Sequence, residues 1–458
     1  MLAFTVFRPP STPGPLERDF EAYYAAGAAV DAGGDPYSRA IWQFERQIPG
    51  VDARRDELLP FVGPAAALPF WSLLARLPYQ GALAIWTAIL IGALVTIPAA
   101  ALRLARAPSD VPLGVLAGAL AIASAPAIGA LALGQAALVS AAAVAAALVA
   151  FRARSAAGAI GTTLLAALQP NLAVALIARV RSGWDVAVAA AAGAIFALLT
   201  LAGGAGAGVA AYLQHLAAHA AAERMTAIQH TPAAIAYAVG VPLNALPAVS
   251  AAIALGAAAT AVALIVREHL DATTATLLAC AALPLVLPFF HEHDFVLVLL
   301  PILVLAVRAR GRARALASTA AALALVDWFG LAQRHAAQGQ IVCLGLAVVF
   351  AFAAARPSAA RGWRPDFAGI LVLLALALVA VPLGRTHPAP TWPDTLPAGY
   401  RAPPAADASA VWGDEARAAG LTQREPAWGL LRSLPLLGCI VLGAALVSDA
   451  RRRRPAAD

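Results

Sequence analysis

The fold is decided by one apolar stretch, residues 81–102, which reads GALAIWTAILIGALVTIPAAAL. A membrane-spanning helix needs about 20 consecutive apolar residues to cross the hydrocarbon core of a bilayer, so this stretch predicts one spanning helix. The whole chain agrees with this, since 61% of its 458 residues are hydrophobic, 12% are charged, and the mean hydropathy is +0.76. These values exclude a soluble globular protein and indicate a protein that crosses the membrane several times.

Ten further apolar stretches predict additional spanning helices. They are residues 111–128, 131–151, 185–202, 244–266, 272–290, 294–307, 313–330, 339–355, 367–384 and 429–448. We therefore predict an all-α polytopic membrane protein with about 11 spanning helices.

The apolar run 155–178 differs from these stretches, because Gln169-Pro170-Asn171 interrupts it. Pairs of arginines flank it, at 152 and 154 on one side and at 179 and 181 on the other. If both pairs face the cytoplasm, the run must be a hairpin of two half-length helices. Such a hairpin is tolerated at membrane depth only where it is buried in protein or lines a wet cavity. The alternative is a single spanning helix with a proline kink.

The arginines indicate which loops face the cytoplasm. All 32 basic residues are arginine, and 18 of them fall with 7 of the 25 acidic residues in segments on one side. These segments are residues 103–110, 152–154, 179–185, 267–271, 308–314, 356–366 and 449–458. Cytoplasmic loops are enriched in arginine, so we assign this side to the cytoplasm. Because the arginines sit in short loops between apolar runs, their positive charge does not indicate nucleic-acid binding.

The outer side then receives seven of the eight histidines and most of the acidic residues. Its segments are residues 1–64, 203–243, 291–294, 327–338 and 385–428. We therefore expect an extracytoplasmic active site in a multi-pass protein of the cell (inner or plasma) membrane. Since residue 1 lies outside in this topology, we expect a further helix upstream of it; otherwise the helix near 81–102 must translocate residues 1–64.

The topology divides the chain into four parts. We expect an extracytoplasmic N-terminal catalytic loop (1–64), a transmembrane domain (65–384), a Pro-rich extracytoplasmic loop (385–428), and a final transmembrane helix with a basic cytoplasmic tail (429–458).

Residues 18–37, which read RDFEAYYAAGAAVDAGGDPY, are unusually polar for this chain. Asp19, Tyr23 and Ala26 share one helical face, because residues at i, i+4 and i+7 are neighbours on a helix. A carboxylate beside phenols is a candidate general base. Asp35 competes for that role, but it precedes a proline in a predicted turn, where aspartate more commonly caps. Taken alone, the stretch is better explained as a solvated amphipathic helix on the bilayer surface.

Polar side chains also interrupt later apolar segments. Gln135, in Leu133-Gly134-Gln135, is a candidate for a polar contact in a cavity or for a helix–helix hydrogen bond. Gln169 marks either a helix break that exposes backbone groups or a simple kink. His291 and His293 lie at a helix boundary, where histidine can bind a phosphate or move a proton, or can belong to an ordinary polar turn.

Two sets of residues in the sequence have side chains that can bind metals. His215, His219 and Glu223 share one helical face and could bind a metal, but we favour the polar face of an interfacial helix. The three cysteines, at 280, 343 and 439, lie inside apolar runs without CxxC spacing, which indicates neither a metal site nor a disulfide framework. We expect no metal and no cofactor.

The order of these motifs resembles glycosyltransferase family 87, which comprises integral membrane enzymes of the GT-C fold. The resemblance spans residues 18–305 and rests on five elements: Asp-Phe-x-x-Tyr-Tyr-x-Ala, Gly-x-Asp-Pro-Tyr, Leu-Gly-Gln, a helix broken at x-Pro before Arg-x-Arg-x-x-Trp, and Pro-x-x-His-x-His-Asp-Phe. Two features depart from the family pattern. Gln169-Pro170 stands where the family usually has Lys-Pro, and the helix that normally precedes the aspartate loop is not found ahead of Asp19.

The resemblance implies a hexosyltransferase similar to polyprenyl-phosphate-mannose-dependent α-mannosyltransferases. Such an enzyme moves the sugar from a polyprenyl-phosphate donor to a lipid or glycan acceptor with inversion, in the lipid bilayer and without nucleic acid. It implies Asp19 as the catalytic base and His293, with His291 as a substitute, as a donor contact. Further candidate substrate-binding residues are Tyr23, Asp35, Tyr37, Gln135 and Gln169.

Two other classes remain open: a transporter or flippase of lipids or sugars, and an inactive GT-C-like membrane protein. A transporter shares broken helices and buried polar residues, but its site should lie at the membrane midplane between two halves. An enzyme should place Asp19 and His293 at one outer cavity that opens laterally to lipid.

Overall fold

The computed structural model describes residues 17–52, 54–106, 111–203, 209–330, 367–390, 396–404 and 406–453. Across these ranges the protein is built from helices without a β-strand, and one isolated bridge joins Gln229 to His291. This confirms the predicted all-α class. The predicted span 339–355, the predicted loop 356–366 and Cys343 lie outside the described residues.

The helices are numbered here in chain order. They are α1 (Arg18–Asp31), α2 (Trp42–Glu45), α3 (Leu68–Ala75), α4 (Tyr79–Ala105), α5 (Val111–Ala123), α6 (Ala125–Leu133), α7 (Ala137–Arg152), α8 (Ala156–Ala166), α9 (Pro170–Ala173), α10 (Gly183–Gly203), α11 (Val209–Glu223), α12 (Pro232–Ala238), α13 (Leu246–Arg267), α14 (Ala272–Val286), α15 (Val296–Arg308), α16 (Arg312–Ala324), α17 (Phe367–Thr386), α18 (Ala408–Ala418) and α19 (Pro426–Arg453). Short 3₁₀ turns lie at Arg39–Ile41, Ala65–Ala67, Val174–Arg179 and Glu292–Phe295.

Within the described ranges, four helices, α4, α10, α13 and α19, are long and apolar enough to cross a membrane. Shorter helices occupy the other predicted spans that the structure describes, and the number of about 11 crossings remains a prediction. The prediction of one continuous helix over 111–128 is wrong. Helix α5 ends at Ala123 and α6 begins at Ala125, because Pro126 has no N–H with which to continue the helical ladder.

The interrupted run 155–178 forms the predicted hairpin, as α8 and then α9 with its 3₁₀ turn. Its two ends lie together, because the guanidinium of Arg179 sits 4.9 Å from the ring centroid of Phe151 at the end of α7. Its tip lies near the start of α7, where the Gln169 N–H donates to Ser140 Oγ at 3.0 Å. At about 1.5 Å per residue, α8 covers roughly half of the bilayer core.

Several of the predicted cytoplasmic segments meet at one end of the protein. Asp449 of α19 lies 3.0 Å from Arg308 of α15 and 3.0 Å from Arg453. Arg451 pairs with Glu268 at 2.6 Å, which ties α19 to the end of α13. We call the end defined by these five residues the arginine end.

The N-terminal residues pack near the opposite end of α15, against α3 and the start of α4. Helix α1 lies so close to α3 that a Cβ on Gly27 would be 2.3 Å from the carbonyl oxygen of Trp71. Phe20 is fully buried and stacks on Trp86 of α4 with 6.1 Å between ring centroids. The interpretation of α1 as a solvated surface helix is therefore wrong, because the protein encloses its aromatic side chains.

Candidate functional site

Asp19 belongs to a hydrogen-bonded cluster that joins three separate segments. Gln135 Nε2, in the turn between α6 and α7, donates to Asp19 Oδ2. Gln135 Oε1 accepts from Tyr23 OH at 2.9 Å and from Gln169 Nε2 at 3.3 Å. We call these four residues the Asp19 cluster. The structure thus brings together the predicted base and three of the predicted substrate-binding residues.

The turn after α6 reaches Asp19 because Gly134 lets α1 approach. Gly134 ends α6 with φ 75°, in the left-handed region that favours glycine. A Cβ at this position would lie 2.8 Å from Cβ of Glu17 and 3.0 Å from Cβ of Phe20. The indole of Trp86 also donates to the Gly134 carbonyl at 2.7 Å, which fixes the turn against α4. The Leu-Gly-Gln motif therefore positions the amide that holds Asp19.

Asp19 keeps part of its surface accessible, whereas its neighbours Arg18 and Glu21 are buried. Burial raises the pKa of Asp19 to about 6, although the Gln135 hydrogen bond and the positive charge of His291 act to lower it. A carboxyl group with this pKa is mostly ionised at neutral pH and is still basic enough to accept a proton.

The turn between α14 and α15 carries both predicted histidines. The ring centroids of His291 and His293 are 5.0 Å apart, and the His291 N–H donates to Asp294 Oδ2 at 2.9 Å. This turn packs against α6, which places it beside the Asp19 cluster. Burial lowers the pKa of His293 well below its usual range, so this imidazole is neutral and offers one N–H donor.

Glu223, at the end of α11, is a buried carboxylate that holds His291. Its Oε2 lies 3.0 Å from His291 Nε2 and accepts from Gln229 Nε2 at 2.6 Å. Its Oε1 accepts from the Trp412 indole at 2.6 Å and lies 3.4 Å from His219 Nε2. Burial alone would raise the pKa of Glu223, but the two histidines hold it well below its usual range. We call these five residues the Glu223 network.

The interpretation of α11 as an interfacial helix with a polar outer face is wrong. His215, His219 and Glu223 do share one face, but they are only 9%, 3% and 2% exposed. Helix α18 covers this face, and Ser409 Oγ lies 3.5 Å from His215 Nδ1. A spacing of i, i+4 and i+8 identifies a polar face, but it does not say whether water or protein lies against it.

A divalent cation has one candidate location among the described residues. The donor atoms of His291, His293 and Asp294 all lie within 4.8 Å of one another. His291 Nε2, however, already lies 3.0 Å from both Glu223 Oε2 and Gln229 Nε2. We therefore describe the cluster as a hydrogen-bonded network and assign it no ion.

Asp35 and Tyr37 lie in the turn after α1 and have different surroundings from the Asp19 cluster. Asp35 Oδ1 accepts from the Tyr37 N–H at 2.9 Å, which is the capping role considered for it. Tyr37 OH donates to the Gly63 carbonyl at 3.0 Å, and its ring centroid is 5.4 Å from that of His215. Tyr37 thus reaches the histidine face of α11, whereas Asp35 stabilises its own turn.

Helix α18 and the first turns of α19 supply residues that the sequence did not single out. Besides Trp412, α18 carries Glu415, whose Oε1 accepts from the Leu58 N–H at 2.8 Å. Arg432, at the start of α19, is 1% exposed and donates to the Gln229 carbonyl at 2.8 Å. Because Trp412 is 189 residues from Glu223 in sequence, local patterns could not have joined them.

Comparison with known proteins identifies the family. No curated protein and no solved structure matches the chain. The model of glycosyltransferase family 87 matches residues 61–288, about half of the chain, and this range includes Gln135, Gln169 and Glu223. Asp19, His291 and His293 lie outside the matched range, so the family match does not bear on their roles. With its apolar spanning helices and this match, the chain is a membrane glycosyltransferase that belongs to glycosyltransferase family 87.

Proposed function

We propose that this protein transfers a hexose, mannose by the family resemblance, from a polyprenyl-phosphate donor to a lipid or glycan acceptor. The reaction would take place on the extracytoplasmic side of the cell membrane. The observation that carries the proposal is the setting of Asp19, a partly accessible carboxylate held by a neutral amide beside a histidine turn. This setting provides a base and a phosphate contact near the ends of membrane helices, where a lipid-linked donor would lie.

The proposed reaction is a single displacement. The acceptor hydroxyl oxygen attacks the anomeric carbon, and its proton passes to a carboxylate oxygen of Asp19. The bond between the anomeric carbon and the phosphate oxygen breaks, and its electron pair leaves with the polyprenyl phosphate. Attack from the face opposite to the leaving group inverts the anomeric centre. Because phosphate is a good leaving group, the protein does not need to activate the donor further. Its contribution is general-base assistance to the acceptor and electrostatic stabilisation of the developing charge.

The remaining residues fit supporting roles. The neutral His293 has an N–H with which to bond the donor phosphate, and the neighbouring His291 can contribute positive charge. Gln135 orients the Asp19 carboxylate. Gln169, which stands where the family usually has lysine, donates to Gln135, so its contribution would be to orientation and not to phosphate charge.

The position of the site supports an enzyme over a transporter. The Asp19 cluster lies near the starts of α4 and α7, and the histidine turn leads directly into α15. A transporter site is expected at the midplane between two halves. Helices α15 and α19 instead run from the histidine turn and from Gln229, respectively, to the arginine end.

The test is a transfer assay in membranes with defined polyprenyl-phosphate sugars, followed by determination of the anomeric configuration of the product. Asp19→Asn keeps size and hydrogen bonding but removes the proton acceptor, so the rate should fall by about 10²–10⁴ while donor binding survives. Asp35→Asn is the matched control and should retain activity within a few-fold.

Three results would contradict this proposal. Full activity of Asp19→Asn with loss in Asp35→Asn would move the base to Asp35. Full activity of both variants would remove the general-base mechanism. A wild-type protein that transfers no sugar from any polyprenyl-phosphate donor would favour an inactive family member or a transporter.

A further inference from the structure

We infer that Glu223 is a positioning residue, which holds His291 as a cation facing Asp19, and that α18 completes this arrangement through Trp412. The inference rests on the proposed function, since it concerns the base and the donor side of the same site. It adds a residue of α11 and a residue of the C-terminal segment to the catalytic assembly.

The geometry around Glu223 leaves it few other roles. The carboxylate is 2% exposed, so it does not itself reach a substrate in solvent. Each oxygen accepts one short hydrogen bond from a neutral donor, from Gln229 at 2.6 Å and from the Trp412 indole at 2.6 Å. A buried carboxylate retains its charge when it is paired and hydrogen-bonded. The pairing partners here are His291 at 3.0 Å and His219 at 3.4 Å.

The charges that face His291 favour its protonated form. They come from Glu223 on α11, Asp19 on α1 and Asp294 in its own turn, and the neighbouring rings of His293 and His230 face the same imidazole. Burial lowers the pKa of His293 and of His230, so both rings are neutral and three carboxylates act on one cation. Although burial opposes charging, these carboxylates raise the pKa of His291 above its ordinary value.

Backbone hydrogen bonds also hold His291 beside Glu223. The Phe290 N–H donates to Gln229 Oε1 at 2.9 Å, and the His230 N–H donates to the Phe290 carbonyl at 2.7 Å. The side-chain amide of Gln229 is therefore oriented, with its oxygen toward the backbone and its nitrogen toward Glu223. The residue that precedes His291 is thus attached to the loop that follows Glu223, which fixes the distance between the two charged groups.

A cation at His291 keeps Asp19 ionised at a lower pH than burial alone would allow. Substitution of His291 or Glu223 should therefore move the acid limb of the pH profile of kcat/KM, because this limb reports the pKa of the base in the free enzyme. His291→Gln removes the cation and leaves Glu223 charged, so the limb should move up by about one pH unit. Glu223→Gln removes both charges, so the limb should move in the same direction by a smaller amount, about half a unit.

The experiment measures kcat/KM against pH for the full-length protein in membranes, with Asp19→Asn in the same series. Glu223→Asp keeps the charge and should retain the wild-type limb, with kcat/KM lowered because the shorter side chain holds His291 less well. Glu415→Gln is the matched control, since it alters a buried carboxyl group on α18 that has no contact with His291, and it should leave the limb in place.

The outcomes separate the inference from the proposed function. The inference would be overturned if the acid limb stayed at its wild-type pH in both Glu223→Gln and His291→Gln, or moved to lower pH in either variant. The proposed function would still stand in that case, provided that Asp19→Asn is inactive. If the acid limb of Glu223→Asp lay at the same pH as that of Glu223→Gln, the role of Glu223 would be structural only. If Glu223→Gln fails to fold, His291→Gln and Glu223→Asp decide the question. An active Asp19→Asn would instead contradict the proposed function.

Discussion

Two carboxylates at different ends of the protein, Asp449 and Asp19, are held in different ways. At the arginine end, Asp449 is fully buried and lies 3.0 Å from each of two arginines, Arg308 and Arg453. At the other end, Asp19 is partly accessible and is held by the neutral amide of Gln135. Arginine stays protonated at any physiological pH, so the first arrangement fixes charge and geometry. The second leaves a carboxylate that can take up and release a proton. The arginine pairs of Asp449 thus indicate a structural role, and the amide contact of Asp19 is compatible with a role in proton transfer.

The largest effect that we expect is a loss of folding stability when the carboxylate of Asp449 is removed from the arginine end. Asp449→Ala leaves Arg308 and Arg453 without their carboxylate partner, and removal of one member of a buried pair destabilises by about 3 kcal/mol or more. We expect a lower thermal midpoint and a lower yield of folded protein, with unchanged transfer per folded molecule.

The control for this change is Arg417→Gln, which breaks a pair whose arginine and aspartate side chains, Arg417 and Asp414, are 65% and 33% exposed. Exposed pairs contribute about 0–1 kcal/mol, so the midpoint should hardly move. Equal losses in the two variants would mean that burial does not distinguish the pairs.

The next effect concerns the turn that holds Gln135. Gly134→Ala adds a Cβ that would lie 2.8 Å from Cβ of Glu17, so α1 and the turn must separate and the Asp19 cluster must loosen. Because misplacement of a catalytic group by about 1 Å can reduce the rate by about 10²-fold, we expect transfer to fall by at least about tenfold. Gly33→Ala has nearly the same positive φ, 74°, but open space around its added Cβ. If Gly33→Ala lost activity equally, backbone strain and not the approach of α1 would explain both results.

A smaller and reversible effect is expected from pH. Since the pKa of Asp19 is raised to about 6, kcat/KM should fall about tenfold per pH unit below that value, as the base becomes protonated. Asp294 has its pKa raised to about 6 as well, mainly by burial, and has to be separated from Asp19. Asp294→Asn should keep the acid limb of the profile. Loss of the limb in this variant would assign the titration to Asp294.

The parts of the fold that could be predicted are those with local causes. The hairpin of α8 and α9 follows from a proline between two arginine pairs, and the Asp35 turn follows from Asp-Pro. The end of α5 was missed because hydropathy averages over Ser124-Ala125-Pro126 and does not register the missing N–H. In the site, Asp19 and Gln135 were found as polar residues in unusual places. The central position of Glu223 was not found, because its polar face is the same in sequence whether protein or water covers it.

We propose that Asp19 accepts the proton whereas Asp449 maintains the structure. The most direct test compares Asp19→Asn with Asp449→Asn in one membrane preparation, and measures the transfer rate per folded molecule from a polyprenyl-phosphate sugar. We predict wild-type amounts of folded Asp19→Asn with transfer reduced by about 10²–10⁴, and reduced amounts of Asp449→Asn with transfer per molecule retained. A fully active Asp19→Asn, or an Asp449→Asn that folds normally but transfers no sugar, would contradict the account.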